Sequence, residues 1–121
     1  MENKHTITHI EIPALNTRKA SEFYSKVFNW TIDDKFGEEY LMFRIGNSGT
    51  GGAFVSSLKP ADKDQGPHLV INVEDITEKL KEIEEAGGNI ILNKTEIPGG
   101  FGFYAAFNDL SGNYMQIYSD K

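Results

Sequence analysis

The chain carries three histidines, His5, His9 and His68, and no cysteine. Thiolate metal sites, disulfides and cysteine nucleophiles are therefore excluded. Imidazole remains as the side chain best suited both to a divalent metal and to moving a proton near neutral pH. His9 lies in Thr6-Ile7-Thr8-His9-Ile10-Glu11-Ile12, where apolar and polar residues alternate with the period of a half-buried strand. Ile10 and Ile12 are expected on one side of that strand, His9 and Glu11 on the other. At a rise of ~3.3 Å per residue, His9 and Glu11 stand about 7 Å apart, so Glu11 could act as a general base or orient the imidazole. A lone strand histidine is more often a hydrogen-bonded structural residue, and spacing by itself leaves both roles open. His5 precedes the strand and reads as a surface residue.

The elements that must position these residues follow from pattern. Pro13 to Asn16 breaks the first strand, and Asn16 or Thr17 can cap a helix with an apolar stripe of Ala20, Phe23, Tyr24, Val27 and Phe28. Strand candidates follow at Trp30–Ile32, Tyr40–Ile45 and Gly52–Ser56. In the second, Leu41, Phe43 and Ile45 alternate with Tyr40, Met42 and Arg44. Leu58 to Pro67 is polar, contains two prolines and reads as a linker.

The pattern then restarts. His68–Val73 reads as a strand, and Asp75-Ile76-Thr77-Glu78 as a capping box opening a helix with Ile76, Leu80 and Ile83 on its apolar side. Gly87 sits where a helix-terminating glycine belongs. Strand candidates Asn89–Thr95, Phe101–Asn108 and Tyr114–Ser119 complete the chain, separated by turn clusters at Pro98-Gly99-Gly100 and Asp109–Asn113. The order strand–helix–strand–strand–strand thus occurs twice, with His9 and His68 opening the copies. The expected fold is α+β: two βαβββ modules, residues 5–57 and 68–120, joined by a linker at 58–67 within a single domain of 121 residues. Two such sheets side by side can curl into a cup, because neither module buries its sheet face alone.

Composition narrows the partners. A net charge of −6 argues against nucleic acid or an anionic membrane. No run approaches the ~20 apolar residues of a membrane helix, and the start, Met1-Glu2-Asn3-Lys4-His5, has no apolar leader core. A cytoplasmic protein acting on a small molecule is the expectation.

The segments His9–Pro13 and Ala20–Trp30 resemble the opening module of the vicinal oxygen chelate superfamily (glyoxalase, bleomycin resistance, extradiol dioxygenase). In that family a Phe-Tyr-x-x-x-Phe-Gly-Trp type sequence ends the first helix; here Asn29 stands in for the glycine. Val73–Ile76, Ile83–Gly88, Lys94–Gly100 and Asn108–Asn113 resemble a branch of uncharacterised proteins related to lactoylglutathione lyase, with Leu110 where the family usually has proline. The resemblance covers nearly the whole chain. It implies the glyoxalase-like cup and a metal site built from the first and last strand of each module. Carried over, those positions fall on His9, His68 and Gln116, the last replacing a frequent glutamate, whereas Gly51–Val55 offers no ligand. It further implies one divalent metal (Ni, Zn, Mn or Fe) or none, Glu11 as the catalytic acid–base group, and a pocket lined by Met42, Arg44, Tyr114 and Tyr118, suited to a small organic anion or planar ligand. Two functions follow. One is a metal-dependent lyase or isomerase on a small oxygenated molecule, in which Pro13 and Gly52–Val55 leave glutathione recognition unsupported. The other is a metal-free small-molecule-binding protein of the bleomycin-resistance kind. The missing acids favour the second, the histidine pair the first, and on the sequence the enzyme is the reading preferred, with the binding protein as the alternative. A homodimer is implied by the same resemblance.

Overall fold

A computed structural model describes residues 4–121. The chain divides into two compact units, Met1–Lys59 and Pro60–Lys121. Each holds one helix and a four-stranded mixed sheet, so the expected α+β class and the repeated βαβββ order are both present.

In the first unit, β1 (His9–Pro13), α1 (Thr17–Phe28), β2 (Thr31–Asp33), β3 (Tyr40–Arg44) and β4 (Gly51–Val55) form a sheet of order β1-β4-β3-β2. The first pair is parallel and the others antiparallel. Pro13 ends β1 rather than breaking the chain before it. Asn16 caps α1 by accepting from the Lys19 amide at 3.0 Å. Asn29 closes it in the left-handed region at φ 60, a conformation glycine takes freely and asparagine tolerates, which accounts for its place in the family pattern. The helix lays Phe23, Tyr24 and Val27 on the sheet, and the Phe23 and Tyr24 rings join Trp30, Phe43 and Phe54 in one aromatic core. Its closest centroids, Tyr24–Trp30 and Trp30–Phe43, are both 4.7 Å apart. Gly52 lies beneath this core. A Cβ there would stand 1.9 Å from the Ile10 carbonyl oxygen and 2.6 Å from the Phe43 ring.

In the second unit, β5 (Val70–Asn72), α2 (Ile76–Glu85), β6 (Asn89–Glu96), β7 (Phe103–Asn108) and β8 (Tyr114–Ser119) form a sheet of order β5-β8-β7-β6. Asp75 caps α2 on the Glu78 amide at 3.0 Å, whereas the Glu78 carboxylate turns to Lys81 at 3.6 Å, so half of the expected capping box forms. The helix ends in paired reverse bonds, Gly88 N–H to the Ile83 carbonyl and Gly87 N–H to that of Glu84, with Gly87 at φ 101. Ile76 and Ile83 pack over Ala105, Phe107, Met115 and Ile117 in the core. β7 starts two residues later than the pattern suggests. Gly102 sits at φ 107 and its carbonyl accepts from the Ile97 amide, closing the hairpin before the ladder begins. The polar stretch after Lys59 belongs to this unit by hydrogen bonding: Ala61 donates to Asn113 Oδ1 and accepts from the Tyr114 amide. Among the described residues, no helix is long and apolar enough to cross a membrane.

The close approach at Gly52 yields a direct expectation. Gly52→Ala forces β1 away from β4 or displaces Phe43, and should cost about 3 kcal/mol or more of unfolding free energy. Urea denaturation measures it, with Gly46→Ala, where a Cβ meets nothing within 4 Å, as the milder comparison.

Candidate functional site

Each sheet has one face under its helix and one left open. On the open face of the first unit, β1 presents His9 and Glu11, and β3 presents Tyr40, Met42 and Arg44, as alternation requires. Between them β4 contributes Gly51 and Ala53, so little side chain stands in the gap. Across this gap the Tyr40 ring reaches β1. Its hydroxyl donates to Glu11 Oε2 at 2.8 Å, and His9 Nε2 lies 2.8 Å from the same hydroxyl. The two rings are near-parallel, with centroids 6.1 Å apart. Since the phenol proton goes to Glu11, the phenol oxygen is left to accept, and His9 donates through Nε2. The lone pair of neutral His9 then sits on Nδ1. Glu11 holds the Tyr40 pKa above tyrosine's ordinary 10.0, first through the hydrogen bond, then through burial and the carboxylate charge.

His9 and Glu11 therefore share a face as expected and are joined by a residue that sequence reasoning placed beside Met42 and Arg44 but gave no role. Met42 is half-buried beside them. Arg44 is exposed, with no hydrogen bond or ion pair to another described residue. The other arginine of the chain, Arg18, is held by Glu38 at 2.9 Å.

In the second unit His68 does not lie on the first strand. β5 begins at Val70, and its ladder with β8 starts at Leu69, whose carbonyl accepts from the Gln116 amide. His68 precedes it, next to Pro67, and its Nε2 is 2.7 Å from the Lys63 carbonyl, a contact in which the nitrogen must donate. Its ring tilts against Tyr114 with centroids 4.7 Å apart. On the open face of this sheet, Tyr114, Gln116 and Tyr118 alternate with the buried Met115, Ile117 and Ser119, in the expected phase. The Gln116 side-chain amide donates to the Tyr114 hydroxyl at 3.0 Å. Tyr118 is committed elsewhere: its hydroxyl donates to the Phe101 carbonyl at 2.6 Å and ties down the Pro98–Gly102 connection. Strand pairing adds two residues that the sequence did not single out. Tyr104 stands opposite Tyr118, and Asn108 opposite Tyr114, with a buried Oδ1 that has no hydrogen-bond partner among the described residues.

In the first unit His9 donates through Nε2 to Tyr40; in the second, His68 donates through Nε2 to the Lys63 carbonyl, Gln116 brings no charge, and β4 of the first module offers no side-chain ligand. Among the described residues, no three His, Cys, Asp or Glu side chains gather as a metal-binding group.

The family model described as Glyoxalase/Bleomycin resistance protein/Dioxygenase superfamily matches residues 6–117. The chain belongs to this superfamily. Solved structures agree on the fold. A glyoxalase/bleomycin resistance protein/dioxygenase family enzyme from Burkholderia phytofirmans superposes with a TM-score of 0.78 at 15% identity, covering 94% of this chain and 98% of that one. TnmS3, an antibiotic binding protein from Streptomyces, gives 0.74 at 17% identity with 98% of each chain covered. A variant of FosX, the genomically encoded fosfomycin resistance protein of Listeria monocytogenes, gives 0.77 at 16% identity, with coverage of 94% and 89%; it was solved with Mn(II) and a dihydroxypropylphosphonic acid. No curated protein matches the chain.

The Tyr40 contact can be read by titration. Because folding raises the phenol pKa, the contact stabilises below the ordinary tyrosine range and is lost as pH rises through the folded-state value. By near-ultraviolet absorbance the Tyr40 phenolate should form above the ordinary tyrosine range, and Glu11→Gln should move that step down.

Proposed function

We propose that this superfamily member binds a small organic molecule without a metal, on the open sheet face that carries His9, Tyr40 and Glu11. The observation that supports this most directly is the hydrogen-bond chain itself. His9 Nε2 and the Glu11 carboxylate are both engaged by the Tyr40 hydroxyl. What remains available is a planar imidazole–phenol pair, an acceptor carboxylate, the half-buried thioether of Met42 and an unpaired guanidinium. A mostly apolar surface with a few fixed polar groups is what a small-molecule site requires. The second unit carries polar groups on its own open face, Tyr114, Gln116 and the Asn108 Oδ1 that has no hydrogen-bond partner among the described residues. A buried acceptor without a donor costs about 1–3 kcal/mol, which favours an incoming donor there. Glu11 in this reading accepts a hydrogen bond from the ligand or from Tyr40, and is not a proton-transfer base. The rival reading, a metal-dependent lyase or isomerase, would need a metal held through His9, His68 and Gln116.

Elemental analysis decides between the two. Tag-free protein incubated with nickel, zinc, manganese or ferrous iron and then desalted should retain substoichiometric metal. In chelator, a thermal-shift screen of small organic molecules should still give binders, and Tyr40→Phe and Glu11→Gln should each weaken them about tenfold, the loss of one good hydrogen bond. One metal per chain, lost in a His9→Ala/His68→Ala variant, would sink the metal-free reading.

A further inference from the structure

The open face of the first unit continues past His9 to the β3–β4 hairpin, where a cavity of about 390 Å³ is lined by Arg44, Gly46, Asn47, Gly49, Thr50 and Gly51. In the sheet register His9 pairs with Gly51, and Gly51 with Arg44, so the imidazole and the guanidinium flank a position with no side chain. That gap is enforced, because a Cβ at Gly51 would stand 2.8 Å from the Phe43 carbonyl oxygen. The hairpin's polar groups divide unequally. The Ile45, Ser48, Thr50 and Gly51 amides all donate within the protein, and the Thr50 hydroxyl donates to the Ile7 carbonyl. The amides of Gly46, Asn47 and Gly49 donate to no other described residue. The cavity thus brings together a guanidinium without a counter-ion and three unused backbone donors, in a protein of net charge −6. Two carboxylates belong to the same face, yet neither answers Arg44: Glu11 accepts from Tyr40, and Asp33 accepts from the Lys35 amide.

We propose that this hairpin cavity is an oxyanion subsite, in which Arg44 and the Gly46, Asn47 and Gly49 amides hold a carboxylate, phosphate or phosphonate group of the ligand. A planar guanidinium and unused backbone N–H groups are donors that such groups select, and both are charge-complementary to an anion. The inference rests on the ligand-binding reading of this face, and it names the ligand class: a small organic anion whose body extends from Arg44 over Gly51 toward the His9–Tyr40 pair.

The test compares benzoate with benzyl alcohol, the same ring with and without the charge, by amide-resolved NMR titration at constant ionic strength. Benzoate should shift the Gly46, Asn47 and Gly49 amides, and benzyl alcohol should leave them unmoved. Arg44→Gln should weaken the benzoate response about tenfold. Arg44 is exposed, so this variant should retain the fold, which its amide spectrum reports in the same experiment. Hairpin shifts equal in size for the alcohol, or unchanged in Arg44→Gln, would overturn the subsite. If both probes move the His9 and Tyr40 signals while the hairpin stays silent, the subsite falls and the ligand-binding face stands.

Discussion

The first unit is organised around the passage of β4 under its aromatic core. β4 must lie close enough to β1 for parallel pairing while Phe43 and Phe54 stack above it, and at Gly52 only hydrogen fits between the Ile10 carbonyl and the Phe43 ring. This contact fixes which face of the sheet each β1 residue takes. With Ile10 and Ile12 turned toward α1, His9 and Glu11 have to point to the open side. The small residues that let β4 pass, Gly51 and Ala53, also leave the channel through which Tyr40 reaches them.

That channel decides the chemistry. A tyrosine hydroxyl between an imidazole and a carboxylate can satisfy both only by donating to the acid and accepting from the ring, which sets the histidine tautomer. The raised Tyr40 pKa is the same preference seen from the phenol: ionising it would forfeit the hydrogen bond to Glu11 and then place a second negative charge beside that carboxylate. The arrangement engages His9 Nε2 and the Glu11 carboxylate together, and Arg44 stands on that face with no ion pair to another described residue.

The second unit spends its polar side chains largely on its own loops. The buried Asp109 carboxylate accepts from the Ser111 and Asn113 amides and from Asn113 Nδ2, and Asn113 in turn accepts from Ala61. Leu110, half exposed within this turn, replaces the family's proline without disturbing the bonds that hold it. Tyr118 does similar work for the Pro98–Gly102 connection, holding the Phe101 carbonyl while the Ile97 amide donates to that of Gly102.

The sequence alone was enough for the repeated element order, the Asp75 cap, a first cap at Asn16 or Thr17, the Gly87 stop and the alternation of Tyr40, Met42 and Arg44, because each depends on a few neighbouring residues whose period or conformational preference is local. It also put His9 and Glu11 on one face for the same reason. Tertiary structure was needed wherever partners come from different strands. That Tyr40 crosses β4 to bridge His9 and Glu11 depends on the register of three strands, and no spacing along the chain encodes it. His68 left the strand its pattern suggested because the β5–β8 ladder begins beyond it and the Lys63 carbonyl captured its ring. Local pattern decides which way a side chain faces, while what it meets there is set by the packing of strands distant in sequence.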